Sequence, residues 1–237
     1  MSPMTIVTTE SVICGSDGSM DLHVWTPDPA PRSAVLLVQE IFGVGAYIRD
    51  VADRLAAAGY LVGAPDVFWR ITPNWEAEHD DAGLQASFGI VQKLDAPQAV
   101  ADCCAALAQL RTHPGITSAP AVIGFCLGGT LAWGVAAAAE PSCCVSYYGS
   151  GVHSMLDMIT QVNCPTLFHF GNSDTYIPSE VVDAINEAIA GRPGFHLNVE
   201  SAGHAFDNHQ SEMFYNEGAA QAAWSKTMAF LAAHLPP

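Results

Sequence analysis

The order of apolar runs along the chain constrains its fold more than any other feature. Runs typical of buried strands occupy residues 20–25, 34–39, 60–65, 121–125, 143–149, 165–170 and 195–200. The central runs are apolar throughout, which is typical of strands covered on both faces of a sheet. Because helical patterns separate these runs, the sequence predicts an α/β fold with a mostly parallel sheet, helices on both faces and right-handed crossovers.

Helical patterns fill the intervals between the predicted strands. They cover residues 47–58, 98–111, 127–139, 179–190 and 217–234. In the first of them Ile48, Val51 and Leu55 share one face, and Gly59 ends the helix. The third is almost wholly apolar, which predicts a buried helix. The chain shows no internal repeat and no low-complexity linker, so we expect a single domain over residues 1–237.

The charge balance of the chain excludes several classes of partner. Acidic residues outnumber basic ones by 24 to 8, which gives a net charge of −16. Nucleic acids and anionic membranes both require clustered cations, so neither is an expected partner. No apolar run approaches the roughly 18 residues that cross a bilayer, and the start "MSPMTIVTTE" lacks the features of a signal peptide. We expect a cytoplasmic protein that is a monomer or a weak homo-oligomer.

One acidic stretch interrupts the alternation of strands and helices. Residues 71–96 follow the predicted strand at 60–65 and contain Trp75 and Phe88. An insertion at the carboxyl ends of parallel strands is well placed to cover a substrate as a lid. The alternative is a solvated surface helix, and the sequence leaves both interpretations open.

The segment "GFCLGG", residues 124–129, joins an apolar strand to the apolar helix that begins near Leu127. This arrangement matches the nucleophile elbow of α/β-hydrolases, G-x-nucleophile-x-G, in which a sharp turn exposes the central side chain. Gly124 and Gly128 would let strand and helix pass closely. Cys126 would then lie at a helix N-terminus, where the Leu127 amide is a natural oxyanion donor. The alternative is an ordinary junction with a buried cysteine.

The other six cysteines carry no pattern that indicates chemistry. They show no C-x-x-C or Cys/His spacing typical of zinc, so the sequence predicts no metal site. Free cysteine is among the most frequently buried residue types. We expect these six to be small apolar core residues in a reducing compartment.

An acid and a base follow the elbow in the chain order nucleophile, acid, histidine of α/β-hydrolases. Asp174 lies just past a predicted strand in "GNSDTYIP", and His204 follows the last predicted strand in "SAGHAF". The sequence therefore predicts a triad of Cys126, Asp174 and His204. Less suitable positions are taken by histidines within strands and by acids inside a helix or after His204: His169, His196, Asp183 and Asp207.

The loop after the strand at 34–39 reads "EIFGVG" and supplies the second oxyanion donor in this fold. We assign that role to the amide of Ile41, with Gly43 and Gly45 keeping the loop tight. Glu40 at the start of the loop is unusual, because a carboxylate beside a thiol opposes thiolate formation.

These stretches, together with "APDVFWR" at residues 64–70, resemble the dienelactone hydrolase (carboxymethylenebutenolidase) family of the α/β-hydrolase fold over nearly the whole chain. The resemblance implies that Cys126 is the nucleophile, His204 the base and Asp174 the residue that orients it, while Glu40 gates the thiol. It also implies hydrolysis of a small-molecule ester or lactone through a thioester acyl-enzyme, with no metal or organic cofactor.

One part of the family pattern is different in this chain. Members that open dienelactone are expected to hold its carboxylate with arginines, one of them four residues after the catalytic histidine. That position is Asn208 here, and residues 71–96 carry Lys93 as their one lysine or arginine. Arg70 is the nearest alternative cation, so we predict substrate contacts from Arg70, Trp75, Phe88 and Asn208. A neutral ester, lactone or thioester fits as well as dienelactone.

Two other functions are compatible with the same residues. A non-catalytic relative could use the pocket to bind a ligand, and a cysteine peptidase or thioesterase could use the same triad. Turnover of small esters, compared with turnover of peptides and with ligand binding alone, separates these functions.

Overall fold

An eight-stranded sheet forms the centre of the computed structural model, which describes residues 5–237. The strands are β1 Thr5–Ile13, β2 Ser19–Pro27, β3 Ala34–Val38, β4 Leu61–Pro65, β5 Ala121–Phe125, β6 Cys144–Tyr147, β7 Thr166–Gly171 and β8 Phe195–Glu200. Their order across the sheet is β1-β2-β4-β3-β5-β6-β7-β8. The strand β2 runs antiparallel to both neighbours, and every pairing from β4 to β8 is parallel. The predicted α/β architecture is therefore confirmed.

Within residues 5–237, six α-helices and one 3₁₀ segment accompany the strands. They are α1 Ala46–Ala57, α2 Asp81–Val91, α3 Ala96–Arg111, α4 Leu127–Ala139, α5 Ser179–Ile189 and α6 Glu217–His234, with the 3₁₀ segment at Val152–Thr160. The predicted bounds of β5, β8, α4 and α6 coincide with those observed. None of the helices described is long and apolar enough to cross a membrane.

The strand β1 was not predicted, and its position in the sheet explains why. Among the strands described, it lies at the edge and pairs with β2 alone, so most of its side chains are exposed. An edge strand of this kind lacks the continuous apolar run that marks β3, β4 and β5, which are buried along their whole length. Residues 1–4, the start of the predicted domain, lie outside the residues that the structure describes.

The cysteines outside the elbow are largely core residues, as predicted. Five of them are buried and Cys104 is half-buried: Cys14, Cys103, Cys143, Cys144 and Cys164 are the buried five. Burial raises the pKa of each of these thiols, to about 12 for Cys143 and about 11 for Cys164. Such thiols stay protonated and unreactive at neutral pH.

Candidate active site

The elbow between β5 and α4 places Cys126 in an unusual backbone conformation. Its φ of 53° and ψ of −116° lie in a region that residues with a side chain rarely adopt. The two flanking glycines make the turn possible, because a Cβ on Gly124 would collide with the Gly128 carbonyl and one on Gly128 with the Val38 carbonyl. Strand and helix thus pass at backbone contact, and the Cys126 side chain stands at the carboxyl end of the sheet.

Cys126, His204 and Asp174 form one connected row. The His204 Nε2 lies 3.2 Å from the Cys126 Sγ, and its Nδ1 lies 2.7 Å from Asp174 Oδ2. Because a carboxylate can only accept, Nδ1 carries a proton and donates it to Asp174. The other carboxylate oxygen accepts the backbone N–H groups of Tyr176 at 2.8 Å and Ile177 at 3.0 Å. The structure therefore brings together the three residues predicted as a triad.

His204 is buried, and its charge state is determined by its two neighbours. Burial alone lowers its pKa, but the negative charge on Cys126 and the hydrogen bond to Asp174 raise the pKa to about 10. A protonated imidazole beside the sulfur can donate a hydrogen bond to it and can deliver a proton to a leaving group at the same point. The ring is also enclosed by Tyr148 and Tyr176, whose centroids lie 5.2 and 5.0 Å away. The arrangement can supply a nucleophile and a proton at one point.

The two predicted oxyanion donors lie on the same cavity wall as the sulfur. Leu127 is the first residue of α4, and Ile41 belongs to the loop that follows β3. Within residues 5–237 neither backbone N–H has a protein acceptor, whereas the Cys126 N–H donates to the Tyr147 carbonyl at 3.0 Å. Both amides can thus donate a hydrogen bond to a ligand oxygen, and their catalytic role stays a prediction.

The carboxylate of Glu40 lines this cavity but has partners other than the thiol. His79 Nε2 lies 2.8 Å from Glu40 Oε1, and Asn208 Nδ2 lies 3.2 Å from both Glu40 oxygens. His79, in the loop before α2, was not among the site residues predicted from the sequence, where lysine and arginine were the only cations considered. Its position in "AEHDD", between acidic residues, was the available signal.

The cavity around the sulfur has a volume of about 130 Å³ and is mainly apolar. Its lining includes the aromatic and aliphatic side chains of Phe42, Leu84, Phe88, Val91, Tyr176 and Phe214. Three of these belong to α2, so this helix covers the nucleophile with one face. Its other face is exposed to solvent. The insertion at 71–96 thus has features of both interpretations, a cover and a surface helix.

Phe88 is the one predicted substrate contact that lines this cavity in the described structure. Asn208 is fully buried behind Glu40. Trp75 lies beside a separate small pocket, where its Nε1 donates to Ser87 Oγ at 3.3 Å.

Arg70 also lies away from the cavity, in contrast to its predicted role. Its guanidinium donates two hydrogen bonds of 3.0 Å to Asp102 of α3 and one of 2.9 Å to Asp17. It also packs over the Trp69 ring at 4.1 Å. The buried Asp102 carboxylate attracts this cation away from the site, since an unpaired buried charge is costly. Within residues 5–237, no group of three or more metal-ligating side chains could hold a metal ion.

Comparison with known proteins identifies the family. The model of the dienelactone hydrolase family matches residues 20–235. A carboxymethylenebutenolidase of Pseudomonas sp. (strain P51) is 33% identical over 222 residues, which are 93% of both chains. Another, carboxymethylenebutenolidase 1 of Cupriavidus pinatubonensis, is 31% identical and covers 92% of this chain and 93% of its own.

Solved structures agree with this result. A Klebsiella pneumoniae protein assigned as a dienelactone hydrolase superposes with a TM-score of 0.79 at 28% identity, over 96% of this chain and 99% of its own. A dienelactone hydrolase-like promiscuous phosphotriesterase from metagenomic libraries reaches a TM-score of 0.82 over 97% and 98% of the two chains. At 19% identity, the second match supports the fold alone. The chain belongs to the dienelactone hydrolase family and is a hydrolase with the α/β-hydrolase fold.

Proposed function

We propose that this protein hydrolyses a small neutral ester or lactone by covalent catalysis, with Cys126 as nucleophile, His204 as general base and acid, and Asp174 as the residue that orients His204. One observation carries the proposal: the sulfur, the imidazole and the carboxylate are linked at 3.2 and 2.7 Å on the strained elbow, facing an apolar cavity. Covalent catalysis requires a nucleophile and a base within hydrogen-bond reach of each other, and a third group that orients the base.

The first half of the reaction forms an acyl-enzyme. The Cys126 thiolate attacks the carbonyl carbon, and the resulting oxyanion is held by the amides of Leu127 and Ile41. The bond between carbon and the leaving oxygen then breaks, and the imidazolium of His204 protonates that oxygen. The product is a thioester on Cys126 and a free alcohol. In a lactone, the alcohol stays attached to the acyl chain.

The second half of the reaction regenerates the enzyme. Neutral His204 takes a proton from water, and the hydroxide attacks the thioester carbonyl at the same oxyanion site. The carbon–sulfur bond breaks, the carboxylic acid leaves, and Cys126 returns as a thiolate beside protonated His204. Each atom and proton is accounted for by ester and water alone, so the cycle requires no metal or organic cofactor.

The cavity wall indicates the substrate class. Within residues 5–237 its lining contains no lysine or arginine, while Glu40 contributes a carboxylate. Apolar cavities of about 150 Å³ hold a benzene-sized molecule, so this one fits a single ring or a short acyl chain. A polypeptide would not enter such a space beneath α2, which favours a small ester or lactone over a peptide. The names of the curated relatives, carboxymethylenebutenolidases, also agree with a lactone.

The cysteines bear on the cellular compartment in which the enzyme acts. All seven are free thiols, including the buried ones. Thiols in this number are typical of a reducing compartment, because oxidising ones favour disulfides. The free thiols support a cytoplasmic location, and we separately expect the enzyme to act as a monomer or a weak homo-oligomer.

Trapping the acyl-enzyme tests the mechanism. The enzyme is mixed with an uncharged aryl ester, quenched within milliseconds in acid and digested for mass spectrometry. We expect the acyl mass on the peptide that contains Cys126, and loss of both adduct and turnover in Cys126→Ala. Cys104→Ala is the matched control, since Cys104 is half-buried like Cys126 but lies on α3. An adduct on Ser150, which also lines the cavity, with an active Cys126→Ala, would contradict the proposal.

A further inference from the structure

We propose that His79 is a positioning residue which, together with Asn208, holds Glu40 away from Cys126, so that the free enzyme keeps its thiol paired with His204. This inference rests on the proposed function, in which Cys126 is the nucleophile. It differs from the gating role that the family resemblance implies for Glu40, because here the carboxylate is held back before any substrate arrives.

The hydrogen bonds of Glu40 account for both of its oxygens. Oε1 accepts hydrogen bonds from His79 Nε2 at 2.8 Å and from Asn208 Nδ2 at 3.2 Å. Oε2 accepts a hydrogen bond from the same Asn208 Nδ2 at 3.2 Å. The side chains of Glu40 and His79 are only 3% and 8% exposed. A buried carboxylate that loses its donors bears the full cost of desolvation, so Glu40 stays where His79 and Asn208 hold it.

Both donors are themselves held in place. Asn208 Oδ1 accepts the Gln210 backbone N–H at 3.0 Å, which turns the amide nitrogen of Asn208 toward Glu40. The His79 ring packs on Phe42 with a centroid separation of 4.4 Å. The loop before α2 is joined to the Phe42 loop by an antiparallel bridge and by a hydrogen bond of 3.3 Å from Ala77 N to Phe42 O. His79 thus ties the covering segment to the loop that carries Ile41.

The position of Glu40 decides what surrounds the sulfur. A carboxylate beside a thiol disfavours the thiolate by like-charge repulsion. With Glu40 engaged by His79 and Asn208, the Cys126 Sγ has His204 Nε2 as its partner at 3.2 Å. The nucleophile is therefore ready without a charged substrate group to displace Glu40, which suits a cavity that lacks lysine and arginine among its described lining residues.

A double-mutant cycle between His79 and Glu40 tests this inference. In His79→Leu, Glu40 loses its nearest donor and can approach the thiol. We expect iodoacetamide to alkylate Cys126 about tenfold more slowly at neutral pH, the effect of about 1.4 kcal/mol of repulsion on the thiolate population. Glu40→Gln alone should change the alkylation rate less than about twofold, and the double variant should regain the wild-type rate, because the charge is gone.

Three further variants complete the design. His79→Gln keeps an N–H donor and should alkylate within about twofold of wild type. His113→Leu is the matched control, since it removes another histidine–carboxylate pair, His113–Glu10, between the end of α3 and the edge strand β1. If His79→Leu does not fold, as judged by circular dichroism, His79→Asn replaces it, because its shorter side chain cannot reach Glu40.

Each outcome of the cycle decides for or against the inference. An unchanged alkylation rate in His79→Leu overturns it. A slower rate that Glu40→Gln does not restore also overturns it, since His79 would then act on the covering segment and not on the carboxylate. Failure of the proposed function is distinguishable, because it appears as a missing acyl adduct on Cys126 in the wild type, while the alkylation series still reports on the thiol.

Discussion

Two histidine–carboxylate pairs border the same cavity and look almost alike. His204–Asp174 spans 2.7 Å and His79–Glu40 spans 2.8 Å. Each histidine side chain is 8% exposed, and the carboxylates are 0% and 3% exposed. By distance and burial alone, either pair could serve as the base and its orienting acid.

The second contacts of each pair separate them. Asp174 is fixed by two backbone N–H groups, and the free nitrogen of His204 faces the sulfur. Glu40 is held by side chains alone, those of His79 and Asn208. A carboxylate fixed by backbone gives its histidine one orientation, which a base requires, whereas the position of one held by side chains depends on those side chains. Similar pairs thus support base catalysis in one place and positioning in the other.

The largest expected effect distinguishes the two carboxylates by turnover. Asp174→Asn should lower kcat by about 10³ to 10⁴, as in serine triads where the same change selects the wrong imidazole tautomer. Glu40→Gln, the matched change in the other pair, should lower it by less than about tenfold. Steady-state kinetics with an uncharged aryl ester measures both. Equal losses in the two variants would show that the pairs share one function and would break the comparison.

Whether a site residue can be predicted from the sequence depends on which contacts determine its position. Cys126 follows β5 directly, and Asp174 and His204 lie within four residues of the ends of β7 and β8, so backbone topology brings all three to one sheet edge. Gly124 and Gly128 are required by backbone contact and leave a readable motif. These residues could be predicted because their positions depend on local chain geometry.

The covering segment could not be predicted to the same depth. Which of its side chains face the cavity depends on how α2 docks, and α2 carries only two buried residues, Ser87 and Ile90. Trp75 and Arg70 were therefore placed at the site by residue type, although partners elsewhere hold them. His79 was missed because its partner Glu40 is 39 residues away in the chain.

The preference of the enzyme for neutral or anionic substrates further tests the difference between the two histidine–carboxylate pairs. A neutral ester should exceed its carboxylate-bearing analogue in kcat/KM by about tenfold or more, because Glu40 adds negative charge to a wall without lysine or arginine in the described lining. Phe88→Arg should reduce or reverse this ratio, since a charge-assisted hydrogen bond contributes roughly 1.5–3 kcal/mol. Phe88→Leu serves as the uncharged control.

The opposite preference in the wild-type enzyme would have a definite meaning. If the anionic ester is the better substrate, Glu40 must leave His79 and Asn208 when the substrate binds, and those donors would receive the substrate carboxylate instead. The His79–Glu40 pair would then break when the substrate binds and its donors would serve substrate binding, whereas the His204–Asp174 pair would stay intact throughout the reaction.

A third buried carboxylate, Asp102, gives the smallest expected effect on turnover. It is bound by the guanidinium of Arg70 and by Trp69 and Gln98. Burial alone raises its pKa, but these hydrogen bonds and the charge of Arg70 lower it overall. A permanent cation fixes a carboxylate more firmly than neutral donors do, so we assign this pair to stability and not to the site.

Arg70→Met should leave turnover within about twofold of wild type and lower the free energy of unfolding at pH 7 by about 2 kcal/mol. The loss lies between that of a fully buried pair and that of an exposed one, because Arg70 is 25% exposed. Since the folded-state pKa of Asp102 lies below its unfolded value, the stabilisation is present above about pH 4 and is lost as pH falls through the folded-state pKa. Urea unfolding of wild type and Arg70→Met at pH 7 and pH 3 should therefore show a stability difference that shrinks on acidification.

Arg49→Met is the exposed control. It removes the pair with Glu76 and should cost less than about 1 kcal/mol. A loss of turnover in Arg70→Met with unchanged stability would instead return Arg70 to the substrate site.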